Sequence, residues 1–169
     1  MIIKMNISEF FTKYEGKTSN TQTNAHLHKI RKNIWLGSAK ARRNLQDYGI
    51  TAVISIMTDF ERDLFLETVN VKEFFIDLDD KPSASLFRAI YEIRSILTNN
   101  ENEIFLVHCV VGRSRSPALL IGYLMLEEGL DYEEAYDEIL KCRPSIHPND
   151  GFKKQLNSCW IPSLDEDDE

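Results

Sequence analysis

Apolar positions along the chain come in two forms, short unbroken runs and stripes at helical spacing, and the two alternate. The runs at 34–37, 50–57, 71–78 and 104–107 have the length and flanks of strands buried on both faces. Between them, Ser38 is placed to cap a helix through Tyr48 that Gly49 would stop. A helix over 61–68 follows. Leu86, Phe87, Ile90, Ile93 and Leu97 define an amphipathic helix over 85–99. Ser116-Pro117 reads as an N-cap with proline at the first helical position, opening a helix through Glu128 that ends at Gly129. Asp131-Tyr132-Glu133-Glu134 is a capping box for a helix to about Cys142. Arg143-Pro144 breaks the chain, and a last helix spans 149–160. Strands alternating with helices predict an α/β fold, a mostly parallel sheet with helices on both faces.

The ends look different. Residues 1–27 form an N-terminal arm in which Ile7, Phe10, Phe11 and Tyr14 make a helix-like stripe. It either packs on its own domain or carries a homodimer contact. The body is expected at 28–160, and the acidic residues of 161–169 read as a solvated tail.

Composition narrows the classes. The chain has 169 residues, 43% hydrophobic and 28% charged, which suits one soluble domain with a true core. A net charge of −7 does not favour nucleic acid as a partner. No apolar stretch approaches the ~18 residues of a membrane span, and no signal-peptide pattern opens the chain. Cys109, Cys142 and Cys159 are too few and too irregular for a disulfide framework, which points to a reducing cytoplasm, or the nucleus. Sequence distance leaves open whether Cys142 or Cys159 pairs with Cys109 under oxidation.

The chemistry concentrates in one stretch. The run 104–107 ends in His108-Cys109, followed by Val110, Val111, Gly112, Arg113, Ser114, Arg115 and Ser116. A cysteine with an arginine six positions on is cheap by itself. Cys142 and Cys159 have Pro148 and Asp165 at that offset, however, and neither follows an apolar run. Strand, thiol, glycine, arginine and helix start in register describe an anion cradle built around a nucleophile. Arg115 suits a two-pronged grip on phosphoryl oxygens. Gly112 lets the loop turn, and the Ser116 hydroxyl can donate to the sulfur. His108 is read as orienting the cysteine. A leaving alkoxide needs a general acid, and Asp79 and Asp80, at the end of the third strand, are the candidates.

These residues resemble the cysteine-dependent protein tyrosine phosphatases, and within them the small dual-specificity phosphatases. The pattern H-C-x-x-G-x-S-R-S runs from His108 to Ser116. Asp80-Lys81-Pro82 is similar to that family's Asp-x-Pro acid loop, which selects Asp80 over Asp79. Residues 143–156 resemble its R-P-x-x-x-P-N-x-G-F-x-x-Q-L segment. The resemblance implies catalysis by Cys109, Arg115 and Asp80, with His108 and Ser116 in support. It implies a phosphocysteine intermediate, no metal or organic cofactor, and a cleft shallow enough for phosphotyrosine, phosphoserine and phosphothreonine of a protein substrate. Arg113 departs from the usual small or apolar residue. A basic residue there occurs in relatives that act on phospholipids, so a phospholipid or RNA 5′-phosphate is the alternative substrate, and a phosphate-binding scaffold the non-enzymatic one.

Overall fold

A computed structural model describes residues 26–158. The arm with its apolar stripe, Cys159 and the acidic tail lie outside the described residues, as does the end of the last expected helix. Strands β1 (Leu27–Arg31), β2 (Ile34–Gly37), β3 (Ala52–Ile56), β4 (Lys72–Ile76) and β5 (Phe105–His108) form one sheet in the order β1-β2-β5-β3-β4. All neighbours are parallel except β1 and β2, so the sheet is mixed but mostly parallel. The helices are α1 (Asp59–Phe65), α2 (Phe87–Asn99), α3 (Arg115–Glu128), α4 (Tyr132–Cys142) and α5 (Asp150–Ser158). None is long and apolar enough to cross a membrane.

Alternation along the strands sorts the core into two faces. Ile34, Leu36, Ala52, Ile54, Ile56, Phe105 and Val107 face the cluster that α2 to α5 cover. Leu27, Val53 and Leu106 face the other way, against Ala41, Leu45 and Ile50. α3 lies under the centre of the sheet and is buried along most of its length.

Two segments depart from the sequence expectation. β1 straddles the boundary expected between the arm at 1–27 and the body at 28–160, where no strand is predicted. It is a five-residue edge strand with only Leu27 and Ile30 buried, and the Arg31 guanidinium grips Glu128 at the end of α3. The expected helix after Ser38 is instead a pair of 3-10 turns, Ala39–Asn44 and Gln46–Tyr48, and Ser38 makes no side-chain cap. Ala39, Ala41, Arg42 and Leu45 are all buried, Ala41 and Leu45 against Leu27, Val53 and Leu106 and Ala39 against Met57 and Val110.

α5 is docked rather than merely packed. Asn149 Oδ1 accepts from Phe152 N at 2.9 Å, capping the helix. Gln155 accepts from Leu86 N at 2.8 Å and donates to Ala84 O at 2.7 Å. Phe152 and Leu156 are buried in the main cluster. Phe152→Ala is expected to cost about 3–5 kcal/mol, read as a lowered urea midpoint.

Candidate active site

Parallel strands that end together bring their following loops together. In the sheet register Gly37, His108 and Ser55 stand side by side. The loops leaving β2, β3, β4 and β5 therefore meet above one edge, and the loop after β5 carries Cys109.

That loop has its carbonyls turned outward, each to a donor from another part of the fold or from its own flanks. Cys109 O accepts from His108 Nδ1 at 2.7 Å and Val110 O from Ala39 N at 3.0 Å. Val111 O and Gly112 O accept from Arg143 Nη2 and Nε at 3.1 and 3.0 Å. Arg113 O accepts from His147 N at 2.6 Å. With the carbonyls held outside, the loop's N–H groups are left to the inside, the arrangement an anion requires. Gly112 N–H points at Cys109 Sγ, 3.3 Å away. Gly112 has φ +76°, and a Cβ there would collide with the Gly37 carbonyl and crowd Arg143. Both the turn and the packing demand glycine.

Cys109 is buried, with Ser116 Oγ 3.1 Å from its sulfur. The predicted start of the following helix is corrected. α3 begins at Arg115, with Ser114 at the N-cap position and no side-chain cap, so Ser116 and Pro117 sit inside the first turn, where a missing N–H costs nothing. The Ser114 hydroxyl is spent elsewhere. It donates to Asp80 Oδ1 at 2.6 Å and accepts from Asn149 N at 3.0 Å.

His108 is sealed in a polar chain beneath the cysteine. Its Nδ1 donates to the Cys109 carbonyl, so Nε2 is the acceptor, 2.7 Å from Ser55 Oγ. Arg42 Nη1 donates to Ser55 Oγ at 3.1 Å, and Arg42 Nη2 holds Glu73 and the Glu67 carbonyl. Burial, with a smaller repulsion from Arg42, lowers the His108 pKa from 6.5 to about 3, against the opposing pull of its bond to Cys109 O. The imidazole is therefore a neutral strut.

Arg115 is held by Glu61, from the first turn of α1. Nη1 and Nη2 meet the two carboxylate oxygens at 2.5 and 2.7 Å, and Nη1 also donates to Leu78 O at 3.1 Å. Burial opposes the charge on Arg115, but the bonds to Glu61 and the fields of Cys109, Glu61 and Asp80 outweigh it, and its pKa is raised. Burial likewise opposes the charge on Glu61, and Arg115 with Thr58 outweighs it, so the Glu61 pKa is lowered. The same carboxylate closes a capping box with Thr58.

Asp80 faces this centre and Asp79 does not. Asp80 lines a cleft of about 600 Å³ together with Glu61, Cys109, Arg115, Arg113 and His147. Its Oδ1 takes both Ser114 Oγ and Asn149 Nδ2, the latter at 2.9 Å. Asp79 pairs outward with Lys81 Nζ at 3.1 Å. A Cβ on Gly151 would overlap the Pro82 carbonyl, so α5 lies flat against the acid loop.

Sequence reasoning passed over several of these groups. Glu61 had a signal in the T-x-x-E spacing from Thr58, which marks a cap but not its second partner. Ser55 had one too, a polar residue inside the buried run Ala-Val-Ile-Ser-Ile. Arg42 and the clamping role of Arg143 had none, because their partners are remote in sequence.

A buried cysteine inside a loop shaped for an anion, on this sheet, marks a cysteine-based phosphatase of the protein tyrosine phosphatase superfamily, a hydrolase of phosphorylated substrates. The chain belongs to the dual-specificity phosphatase catalytic-domain family, whose model matches residues 34–159. It is 31% identical over 131 residues to the 123R protein of Invertebrate iridescent virus 6, which carries tyrosine phosphatase in its name, covering 76% of this chain and 87% of that one. It is 28% identical over 144 residues to dual specificity protein phosphatase 12 of Rattus norvegicus, covering 82% of this chain but 42% of the relative's length. Among solved structures it is similar to the human tyrosine phosphatase-like serine/threonine/tyrosine-interacting protein (TM-score 0.73, 26% identity, 79% of this chain and 94% of that one). Human DUSP28 is comparable (TM-score 0.69, 25% identity, 81% and 94%).

Two outcomes are expected from the buried polar groups. The folded protein resists protonating His108 while the unfolded chain does not. Its contribution to stability is therefore fully present above about pH 6.5 and is lost as pH falls toward 3. Urea midpoints should fall across this window, and His108→Asn should flatten that part of the slope. Glu61→Gln removes the charge that fixes Arg115, and should lower kcat/KM on an aryl phosphate by about tenfold or more and weaken inhibition by inorganic phosphate. Unchanged values would mean that Glu61 only caps α1.

Proposed function

We propose that the chain dephosphorylates phosphotyrosine and phosphoserine or phosphothreonine in proteins, through a phosphocysteine formed on Cys109. The observation that carries this reading is the convergence on one cleft of Cys109 Sγ, the Arg115 guanidinium and the Asp80 carboxylate. Arg115 has five N–H donors. Glu61 takes one from each terminal nitrogen and Leu78 O takes another from Nη1. Nε–H and the second Nη2–H remain, an edge that matches two phosphoryl oxygens.

Attack by the Cys109 thiolate forms a sulfur–phosphorus bond as the ester oxygen–phosphorus bond breaks. Asp80 delivers a proton to the departing oxygen. Its Oδ1 already accepts two hydrogen bonds, so Oδ2 is the atom left to carry that proton. In the second step Asp80 takes a proton from water as the water oxygen bonds to phosphorus and the sulfur leaves. Ser116 Oγ, 3.1 Å away, steadies the released thiolate. Arg115 and the loop N–H groups hold the charge on the equatorial oxygens in both steps. Each role falls to a residue of this chain.

Dual specificity is supported by the lining of the cleft, which includes Pro82, Val110, Val111, His147 and Asn149 and, among the described residues, no Phe, Tyr or Trp. Among the described residues no phenyl or indole wall favours a flat ring over an alkyl phosphate. Cytoplasm or nucleus suits the free thiols at Cys109 and Cys142.

The test is turnover of a small aryl phosphate under reducing conditions with a metal chelator present. Activity is expected to vanish in Cys109→Ser with the fold retained, whereas a wild-type protein that binds phosphate without turnover would be a scaffold. Phosphotyrosyl and phosphothreonyl peptides should both be substrates, and exclusive turnover of a phospholipid or an RNA 5′-phosphate would overturn the protein-substrate reading. Asp80→Asn should slow the phosphothreonyl peptide most, because its leaving group is the most basic. Equal loss in Asp79→Asn would sink the assignment of the acid.

A further inference from the structure

We propose that His28 is a positioning residue for the Cys109 loop, acting through Arg143, and that protonating its ring loosens the loop as pH falls. The proposal rests on the reading of that loop as the phosphate site. Its first support is the effect of Arg143 on the loop. A peptide group is planar and trans, so a carbonyl held outward aims the N–H of the same group inward. Arg143 Nη2 takes the Val111 carbonyl, and the N–H of that group belongs to Gly112 and points at Cys109 Sγ. Arg143 Nε takes the Gly112 carbonyl, whose group carries the N–H of Arg113. One guanidinium thus sets the direction of two successive donors. Gly112 has no side chain to hinder rotation of these groups, so their direction depends on the clamp.

The second support is what holds the clamp. Arg143 is buried, and its Nη1 donates to His28 Nδ1 at 3.0 Å. His28 lies on β1, which is fixed at this end by the pairing of Leu27 with Gly37 and by the bond from Ser38 N to the His26 carbonyl at 2.9 Å. A guanidinium has only donors, so His28 Nδ1 must offer a lone pair. Protonating Nδ1 removes that acceptor. It also sets an imidazolium against a cation that cannot give up its proton.

The surroundings favour the neutral ring. His28 is half-buried. Beside it β2, Ile34–Gly37, carries no titratable side chain. From the helices, Glu138 of α4 and Glu128 of α3 are both engaged by Arg31, and α4 ends in the Cys142 thiol next to Arg143. On β1 itself Lys29 lies over the Trp35 ring. No carboxylate among the described residues pairs with His28. Burial and then the Arg143 cation lower its pKa from 6.5, so the bond to Arg143 stands at neutral pH and is lost on acidification.

The test compares wild type with His28→Asn, whose amide oxygen is an acceptor that does not titrate, on a small aryl phosphate from about pH 8 down to 4.5. The readout is kcat/KM of wild type divided by that of the variant. Asp80, Cys109, His147 and the substrate titrate in both proteins and cancel. The ratio is expected to be level above pH 6.5 and to fall by about fivefold at the acid end. Inhibition of wild type by inorganic phosphate should weaken in step, relative to the variant. An unfolded fraction would lower the rate and leave that inhibition constant unchanged. His28→Phe, which keeps the bulk of the ring and lacks the acceptor, should lose about fivefold already at neutral pH. A level ratio over the whole range, a fall in rate without weaker phosphate inhibition, or a His28→Phe protein equal to wild type overturns the proposal. If wild type turns over no aryl phosphate, the phosphatase reading fails by itself. The affinity for inorganic phosphate, wild type against His28→Asn, then decides the proposal: the same acid-side fall supports it, and a level ratio overturns it.

Discussion

Everything at this site depends on which way the peptide groups of the Cys109 loop face. A loop that presents its N–H groups to an anion must turn its carbonyls away, and a buried carbonyl without a donor is costly. The fold supplies those donors from separated parts of the chain: Ala39 after β2, Arg143 after α4, and His147 before α5. Arg143 reaches further, to His28 Nδ1 on the edge strand, at 3.0 Å. Burial and the Arg143 cation both lower the His28 pKa, which favours the neutral ring that can accept this bond. The cradle is thus less a local loop than the meeting point of the sheet edge and the C-terminal segment.

The acid loop is governed by the same segment. Asn149 caps α5 with one amide atom and holds Asp80 with the other. Gly151 admits Pro82 against the helix backbone, and Gln155 pins residues 84 and 86. Ser114 then ties the acid loop to the Cys109 loop. Cys109 and Asp80 are held against one frame, which limits how far the 77–86 connection, with Asp80 on it, can move from the Cys109 loop.

Buried charge is the recurring cost of this arrangement. Arg42 and Arg115 both sit in the interior, each with a carboxylate and a carbonyl. Such pairs contribute little net stability compared with apolar side chains of the same volume. Their return is rigidity at the site: one orders the chain from Ser55 to His108, the other fixes the guanidinium of Arg115 at the cleft. A neutral His108 beneath the loop keeps the Cys109 carbonyl in place without adding charge of its own.

The strands and the principal helices were legible because their apolar positions repeat with the period of one secondary structure, and that period is a local property. The thiol, the glycine and the arginine of the Cys109 loop were legible for the same reason: they lie within eight residues of one another, between a buried run and a helix start. Asp80 was preferred to Asp79 only through the resemblance; in the fold one carboxylate lines the cleft and the other pairs with Lys81. What the sequence could not carry were the partners. Glu61 lies 54 residues from Arg115, Ser55 lies 53 from His108, and Arg143 lies 31 from Gly112. No spacing rule links such pairs, since they meet only after β2, β3 and β5 align in register and their loops share one edge. Local chemistry singled out Cys109, and tertiary packing decided what holds its loop.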